Sequence, residues 1–395
     1  MIEMLYSKRA FMVASGATAI SVATSFYGRA RGAESIKLGA ALSQTGRFSD
    51  SAKYMQEGYQ LWVDEVNRRG GIAGRPVDVI IYDDESNPDS GRVLAERLID
   101  RDGVLGILGP YSSPITDAMA TAAERARVPL IGTIASDSSI WERRKLHWTF
   151  QAFPSSDYDH AGFLKIIAEK GAGLKKLAIV YEEAPFSIRA KDWALGKAKE
   201  MGLTVETYGY NPGAQDFRSI LERIVAFGAE AVSMGGYYQP SIALTRQMIE
   251  RGFNPTAYFC LQAADGVTKE ALGGNANGIF GRSAWEPSIE TPASKSFALA
   301  YQARFGRMPS YHSASAYAAT QVIEAAISAK GADRAAVRDY IAGTAINTVL
   351  GTFKTNDRGQ QEGYHYVSTQ WQNGALNIIG GESSNPIIWP KPAWS

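Results

Sequence analysis

Short apolar runs alternate along this chain with stretches in which apolar side chains recur every three or four positions. IKLGAAL (36–42) reads as a strand, Met55, Tyr59, Trp62, Val63 and Val66 then share one helical face, and VDVIIYDD (77–84) reads as a second strand. A helix near 91–100 and the strand-like GVLGILG (103–109) follow. The rhythm restarts after residue 150 with strands at 176–182, 203–210, 229–236 and 256–260, separated by helical patterns at 191–201, 217–228 and 242–252. This is the βαβ alternation of a parallel sheet covered by helices, and its restart predicts two successive α/β units. After residue 285 the pattern becomes helical at 292–305, 312–329 and 334–342, and the chain closes on GTFKTNDRGQQEG (351–363) and two polar-flanked strands, 364–372 and 375–381. The late helices must cover a surface formed earlier. No Pro- or Ser-rich linker separates the halves, which suggests that the chain crosses between them several times and hinges there.

Residues 1–33 stand apart. Lys8 and Arg9 precede the mildly apolar run AFMVASGATAISVATSF, which YGRARGA then interrupts. The run is too short and weak for a permanent span and reads as an export signal, with cleavage after Ala30 or Ala33. SKRAFM is similar to the twin-arginine motif, with Lys8 at the place of its first arginine, so the export route stays open. Removing this segment takes away Lys8, Arg9, Arg29, Arg31 and Glu3, a net +3, so the formal charge falls from +1 to −2. Neither value suggests a nucleic-acid or anionic-membrane partner. Cys260 is the only cysteine, which rules out an internal disulfide and leaves no lipid-anchor cysteine near the signal. The expected product is soluble, periplasmic and monomeric, and its partner is a small molecule.

Catalytic signatures are missing: there is no phosphate-binding loop, dinucleotide fingerprint, nucleophile elbow or H-E-x-x-H. His147, His160, His312 and His365 show no metal-ligand spacing, so no metal or other cofactor is expected. His160 beside Asp157 and Asp159 reads as a solvated helix start rather than as a catalytic base. Asp83 and Asp84 at a strand end read as loop polarity and capping. What remains is a set of strand ends bearing hydroxyls and aromatic rings: GPYSSP (109–114), GTIAS (132–136), EEAPF (182–186) and GGYYQP (235–240). In open parallel sheets ligands collect at the carboxyl ends of the strands, so two such sheets facing one another would form a cleft. Capping is the ordinary use of Ser at a strand-to-helix junction, but with two serines one can cap while its neighbour faces a ligand.

The segments 36–88 (IKLGAALSQTGRFSDSAKYMQEGYQLWVDEVNRRGGIAGRPVDVIIYDDESNP), GILGPYSS, VPLIGTIAS, FPSSD, QDFRSILERI, GGYY and GTFKTNDRGQ occur in order through nearly all of the chain after residue 33. In these the sequence resembles the periplasmic substrate-binding proteins of ABC transporters, of the leucine/isoleucine/valine-binding type; the block 67–88 is the most specific part. The resemblance implies a type I periplasmic-binding fold, two α/β domains joined by three crossovers and closing on ligand. It would place 34–152 plus 286–348 in the first domain and 153–285 plus 349–395 in the second. It also implies that Ser113, Ala135 and Ser136 hold a ligand carboxylate. Phe48, Tyr111, Phe186, Tyr237 and Gln262 would line the cleft for the ligand body.

One departure bears on the ligand. Amino-acid binders of this type carry a carboxylate in the loop after the strand matched here by TAYFC, to pair the ligand ammonium. This chain has LQAADG (261–266), with Leu261 or Gln262 near that place and Asp265 and Glu286 as the nearby acids. A buried ammonium without a charged partner is costly, which favours a hydrophobic or aromatic carboxylate over a branched-chain amino acid, with both kept open. The implied function is a non-enzymatic receptor that delivers this ligand to an inner-membrane ABC permease. A sensor subunit of a signalling system and a secreted α/β hydrolase are the alternatives.

Overall fold

A computed structural model describes residues 34–289, 291–381 and 383–395; the expected export signal lies outside the described residues. The first half forms a five-stranded parallel sheet from β1 (Ile36–Leu42), β2 (Val77–Asp83), β3 (Gly106–Leu108), β4 (Leu130–Gly132) and β5 (Thr149–Gln151), in the order β2-β1-β3-β4-β5. The second is seven-stranded. In it β6 (Lys176–Glu182), β7 (Thr204–Tyr210), β8 (Ala231–Gly235), β9 (Ala257–Cys260) and β10 (Phe280–Ser283) run parallel in the order β7-β6-β8-β9-β10. A two-stranded ribbon of β11 (Ile346–Thr348) and β12 (Gly351–Phe353) comes next, before β13 (Val367–Gln372) and β14 (Ala375–Ile378) extend the second sheet antiparallel beyond β10. The two closing strands therefore return to the second sheet, which their alternation alone did not specify.

Helices α1 (Ser49–Arg68), α2 (Pro88–Asp100), α3 (Ser113–Ala126) and the short α4 (Ser139–Arg143) belong to the first half. In the second are α5 (Ala161–Lys170), α6 (Pro185–Glu200), α7 (Arg218–Phe227), α8 (Tyr238–Arg251) and α9 (Thr268–Leu272). The late helices α10 (Pro292–Phe305), α11 (Tyr311–Lys330) and α12 (Arg334–Gly343) go back to the first sheet, with α11 packed along α1 and against β3. The small residues along α11 permit this: Ala314, Ala316, Ala318 and Ala319 are buried, and a Cβ added to Gly58 of α1 would come within 2.4 Å of the Ser313 carbonyl oxygen. Two helices approaching this closely need Gly at the contact.

Both sheets reverse direction in their strand order beside their first strand, at β1/β3 and at β6/β8, and loops leaving such a pair on opposite sides open a crevice at the strands' carboxyl ends. The chain crosses between the two lobes after β5, after β10 and between β12 and β13. Asp159 on the first crossing, Arg282 at the start of the second and Tyr366 on the third meet: Arg282 Nε donates to Asp159 Oδ1 at 2.9 Å, and its guanidinium lies 4.5 Å from the centre of the Tyr366 ring. Burial works against the charged guanidinium, but Asp159 outweighs it and holds the Arg282 pKa above its ordinary value.

That cluster overturns the solvated helix start expected around His160. His160 and Asp159 are buried, and the imidazole packs on Phe259 with ring centres 5.2 Å apart. Burial, and secondarily the charge of Arg282, lowers its pKa to about 3, so the ring is neutral at physiological pH. Only Asp157 of that trio meets the expectation of a half-exposed carboxylate, and it pairs with Arg189 of α6. Asp83 and Asp84 do act as loop ties: Asp83 accepts from the N–H groups of Gln44, Thr45 and Glu85, and Asp84 from Ser43 Oγ and the Ser86 N–H.

Glu286, on the second crossing, is buried, and this pushes its carboxyl up to about 8 against an opposing hydrogen bond from Ser283. A carboxyl whose folded pKa exceeds its unfolded one contributes stability fully below the unfolded value, near 4.5, and that contribution is lost as pH rises through about 8. Glu286→Gln should therefore be more stable than the parent at pH 9 by on the order of a few kcal/mol and gain nothing at pH 5. Chemical denaturation of both proteins at the two pH values checks this; a pH-independent difference would show that Glu286 does not titrate in this range.

Candidate functional site

The carboxyl ends of β1, β3 and β4 bring Phe48, Tyr111, Ser112, Ser113, Ile134 and Ser136 together, and those of β6, β8 and β9 bring Phe186, Tyr237 and Gln262. Ser112 is the N-cap of α3, its Oγ accepting from the Ile115 N–H at 3.4 Å. Ser113 does something else: its Oγ accepts from the Asp137 N–H at 3.1 Å, tying the mouth of α3 to the loop after β4 and leaving its own proton to donate. Ser112 therefore caps the helix, and Ser113 bridges two loops.

A cavity of about 20 Å³ lies where these loops converge, lined by Tyr111, Ser113, Ser136, Phe186, Tyr237 and Gln262 among the expected residues. Ala135 and Phe48 are not in the lining. Ala135 is buried beside it with its carbonyl accepting from Gln151 Nε2, and the Phe48 ring covers Tyr237 and Tyr111 at centre distances of 4.5 and 5.2 Å. Ser112, the cap, completes the wall together with Ile134, Phe153, Arg282 and Tyr311, which were not singled out in the sequence. A volume of this size holds about one water, so a ligand enters only as the lobes separate or the rings turn. A roomier cavity of about 360 Å³ shares Arg282 but is otherwise lined by crossover and α5 residues such as Pro154, Tyr158, Phe163 and Tyr366. Volume favours the second cavity. The convergence of both switch points, hydroxyls on one side and rings on the other, favours the first.

Gln262, one of the two residues expected near the place of an ammonium partner, has both ends of its amide engaged: Nε2 donates to the Gly236 carbonyl at 2.8 Å and Oε1 accepts from Tyr311 Oη at 3.1 Å. Leu261 is core. Asp265 is buried outside the lining, where it accepts from Ser51 Oγ at 2.6 Å, and burial pushes its carboxyl up to about 6. Glu286 also lies outside the lining, so among the described residues the cavity wall contains an arginine and no carboxylate.

The lobes are joined across the cleft by polar contacts as well as by rings. Arg47 Nη1 meets the buried Glu182 at 2.8 Å while its guanidinium lies 4.5 Å from the centre of Phe48 and 4.9 Å from that of Tyr237. Ser51 reaches Asp265, Tyr311 reaches Gln262, and Arg189 of α6 reaches Glu142 of α4 at 2.7 Å. These link α1, α4 and α11 of one lobe to loops and a helix of the other, the arrangement of a closed cleft.

Two α/β lobes on three crossings, with a cleft between their switch points, define a hinged binding receptor. The chain belongs to the periplasmic binding protein family, whose model matches residues 35–375. It is similar to Leu/Ile/Val-binding protein homolog 7 of Brucella suis, 28% identical over 385 residues that cover 91% of this chain and 95% of that one. Its fold matches the leucine-binding protein LivK of Thermotoga maritima with a TM-score of 0.80 at 23% identity, covering 87% of this chain and 98% of that one. It also matches an ABC transporter solute-binding protein of R. palustris in complex with benzoate, with a TM-score of 0.79 at 18% identity, covering 91% and 97%.

Proposed function

We propose that this chain is the periplasmic receptor of an ABC importer and captures a small hydrophobic carboxylate, an aromatic acid in preference to a branched-chain amino acid. The observation that carries this reading is the cleft wall: serine hydroxyls at the mouth of α3, aromatic rings opposite, and no carboxylate among the described lining residues. Ser113 and Ser136, with the N-terminal dipole of α3, receive the ligand carboxylate, each hydrogen bond to it contributing roughly 1.5–3 kcal/mol. Phe186, Tyr237, Tyr111 and Phe48 enclose the apolar body. The relatives support both ligand classes, one fold neighbour being a leucine-binding protein and another holding benzoate. The lobes comprise 34–152 plus 286–348 and 153–285 plus 349–395; they close as a monomer, catalyse nothing, and present the closed form to a membrane permease.

Titration calorimetry with benzoate, cinnamate and leucine tests the ligand class. The aromatic acids are expected to bind in the micromolar range or tighter, and Ser113→Ala to weaken them about tenfold, or about 1.4 kcal/mol. Leucine binding with no response to the acids would overturn the preference, and unchanged affinity in Ser113→Ala would return this serine to a purely structural bond. Export follows from the same reading: N-terminal sequencing of the periplasmic protein should begin at residue 31 or 34, and an intact Met1 on functional protein would refute it.

A further inference from the structure

We propose that the ligand carries a neutral oxygen acceptor at the end remote from its carboxylate, and that Arg282 receives it. This rests on the carboxylate reading above and deepens it. Arg282 is buried, with its side chain 8% exposed, and lines the cleft cavity together with Phe153, Gln262 and Tyr311. An arginine kept only to neutralise a carboxylate usually presents its fork to both oxygens. Here the pair rests on the single Nε to Oδ1 bond, and Arg282 Nη1 and Asp159 Oδ2 are both buried without a hydrogen-bond partner. A buried guanidinium donor left unpaired is costly, and a ligand atom can remove that cost.

The surroundings narrow what that atom is. Phe153 and Tyr311 lie with their ring centres 5.6 Å from the guanidinium carbon, so the donor is reached along apolar walls that suit an aromatic body. Asp159 already balances the charge of Arg282, and a second carboxylate would leave a net negative cluster in a dry site. A hydroxyl, ether or carbonyl oxygen accepts the bond without that penalty. Gln262, the one amide in the wall, already spends an Nε2 hydrogen on Gly236 and its Oε1 on Tyr311, whereas Arg282 Nη1 is buried with no partner. Specificity by a buried donor is strong, since a ligand lacking the acceptor restores the unpaired group.

The test is calorimetry on the full mature chain with benzoate and its 3- and 4-substituted hydroxy, methoxy and methyl derivatives. The methyl compounds serve as isosteres without an acceptor. At one of the two ring positions the oxygen-bearing acid should bind at least tenfold tighter than its methyl counterpart. In Arg282→Met this preference should fall to within threefold, read as the ratio of the two affinities within the variant. The double variant Asp159→Leu/Arg282→Met, which buries no lone charge, gives the same readout if the single variant does not fold. Methyl acids that bind the parent as well as the oxygen-bearing ones do would overturn the proposal and leave the carboxylate reading intact. Benzoate lost in the Arg282 variants but retained in Ser113→Ala would overturn it too, by placing the sole carboxylate on Arg282. Leucine binding with no benzoate of any kind bound would remove the reading and the proposal together.

Discussion

Asp159→Ala should lower the stability of the mature protein by about 3–5 kcal/mol, roughly 5 °C in Tm for a chain of this size. The carboxylate is fully buried and is the ion partner of Arg282, whose side chain is 8% exposed. Removing it leaves a guanidinium enclosed by Phe153, Tyr311 and Tyr366 with no counter-charge, and arginine does not shed its proton to escape. The location adds to the effect, since the pair ties the crossing after β5 to the crossing after β10, and Tyr366 brings in the third. Replacing both charges, as Asp159→Leu/Arg282→Met, should recover most of the loss, because a buried ion pair exchanged for apolar side chains of similar size is often neutral. Urea denaturation of parent, single and double variants measures the three values. A single variant as stable as the parent would mean that water reaches Arg282 and the pair has no structural role.

Asp159 also shows where the sequence stopped being informative. Alternation of apolar runs with helical faces located β1–β3, β6–β9, β13 and β14 with α1, α2, α6–α8 and α10–α12, because burial is written in their own side chains, whereas the short β5 and β10 and the helix α5 were not read from it. Ser113, Ser136, Phe186 and Tyr237 were legible for a related reason: each follows directly on a strand, and the end of a parallel strand is where a ligand crevice forms. Arg282, Phe153 and Tyr311 were not. Each stands where a crossing or the last-returning helices meet the cleft, so its position depends on how distant segments pack, and no local period records that. His160 failed in the same way. Flanked by aspartates, it looks solvated in the sequence, whereas the crossings and Phe259 cover it in the fold. The serine pair shows an intermediate case: the sequence placed both at the mouth of α3, but only the contact of Ser113 with the Asp137 N–H distinguishes it from the cap, Ser112.

Tyr237→Ala should weaken binding of the aromatic acid by 30-fold or more, the largest effect expected of any single substitution in the cleft. The ring is 7% exposed and is the meeting point of the two lobes: its centre lies 4.9 Å from that of Phe186 in its own lobe, and 4.5 and 5.9 Å from Phe48 and Tyr111 in the other. Its backbone N–H approaches Glu182, the residue that also takes Arg47 across the cleft. Truncation therefore removes a wall of the ligand cavity and a contact that forms only when the lobes close, so ligand affinity suffers twice while each lobe keeps its own core. Central aromatic anchors of this kind lose about 2–4 kcal/mol on truncation, equivalent to roughly 30- to 1,000-fold in Kd. Tyr237→Phe keeps the ring and loses only the hydroxyl's contact with Ser112 across the cleft, so it should bind within about threefold of the parent. Calorimetry on the two variants separates the ring from the hydroxyl. Full affinity in Tyr237→Ala would mean that the ligand sits elsewhere than between the switch points; a large loss in Tyr237→Phe would mean that the hydroxyl, rather than the apolar face, is what the ligand recognises.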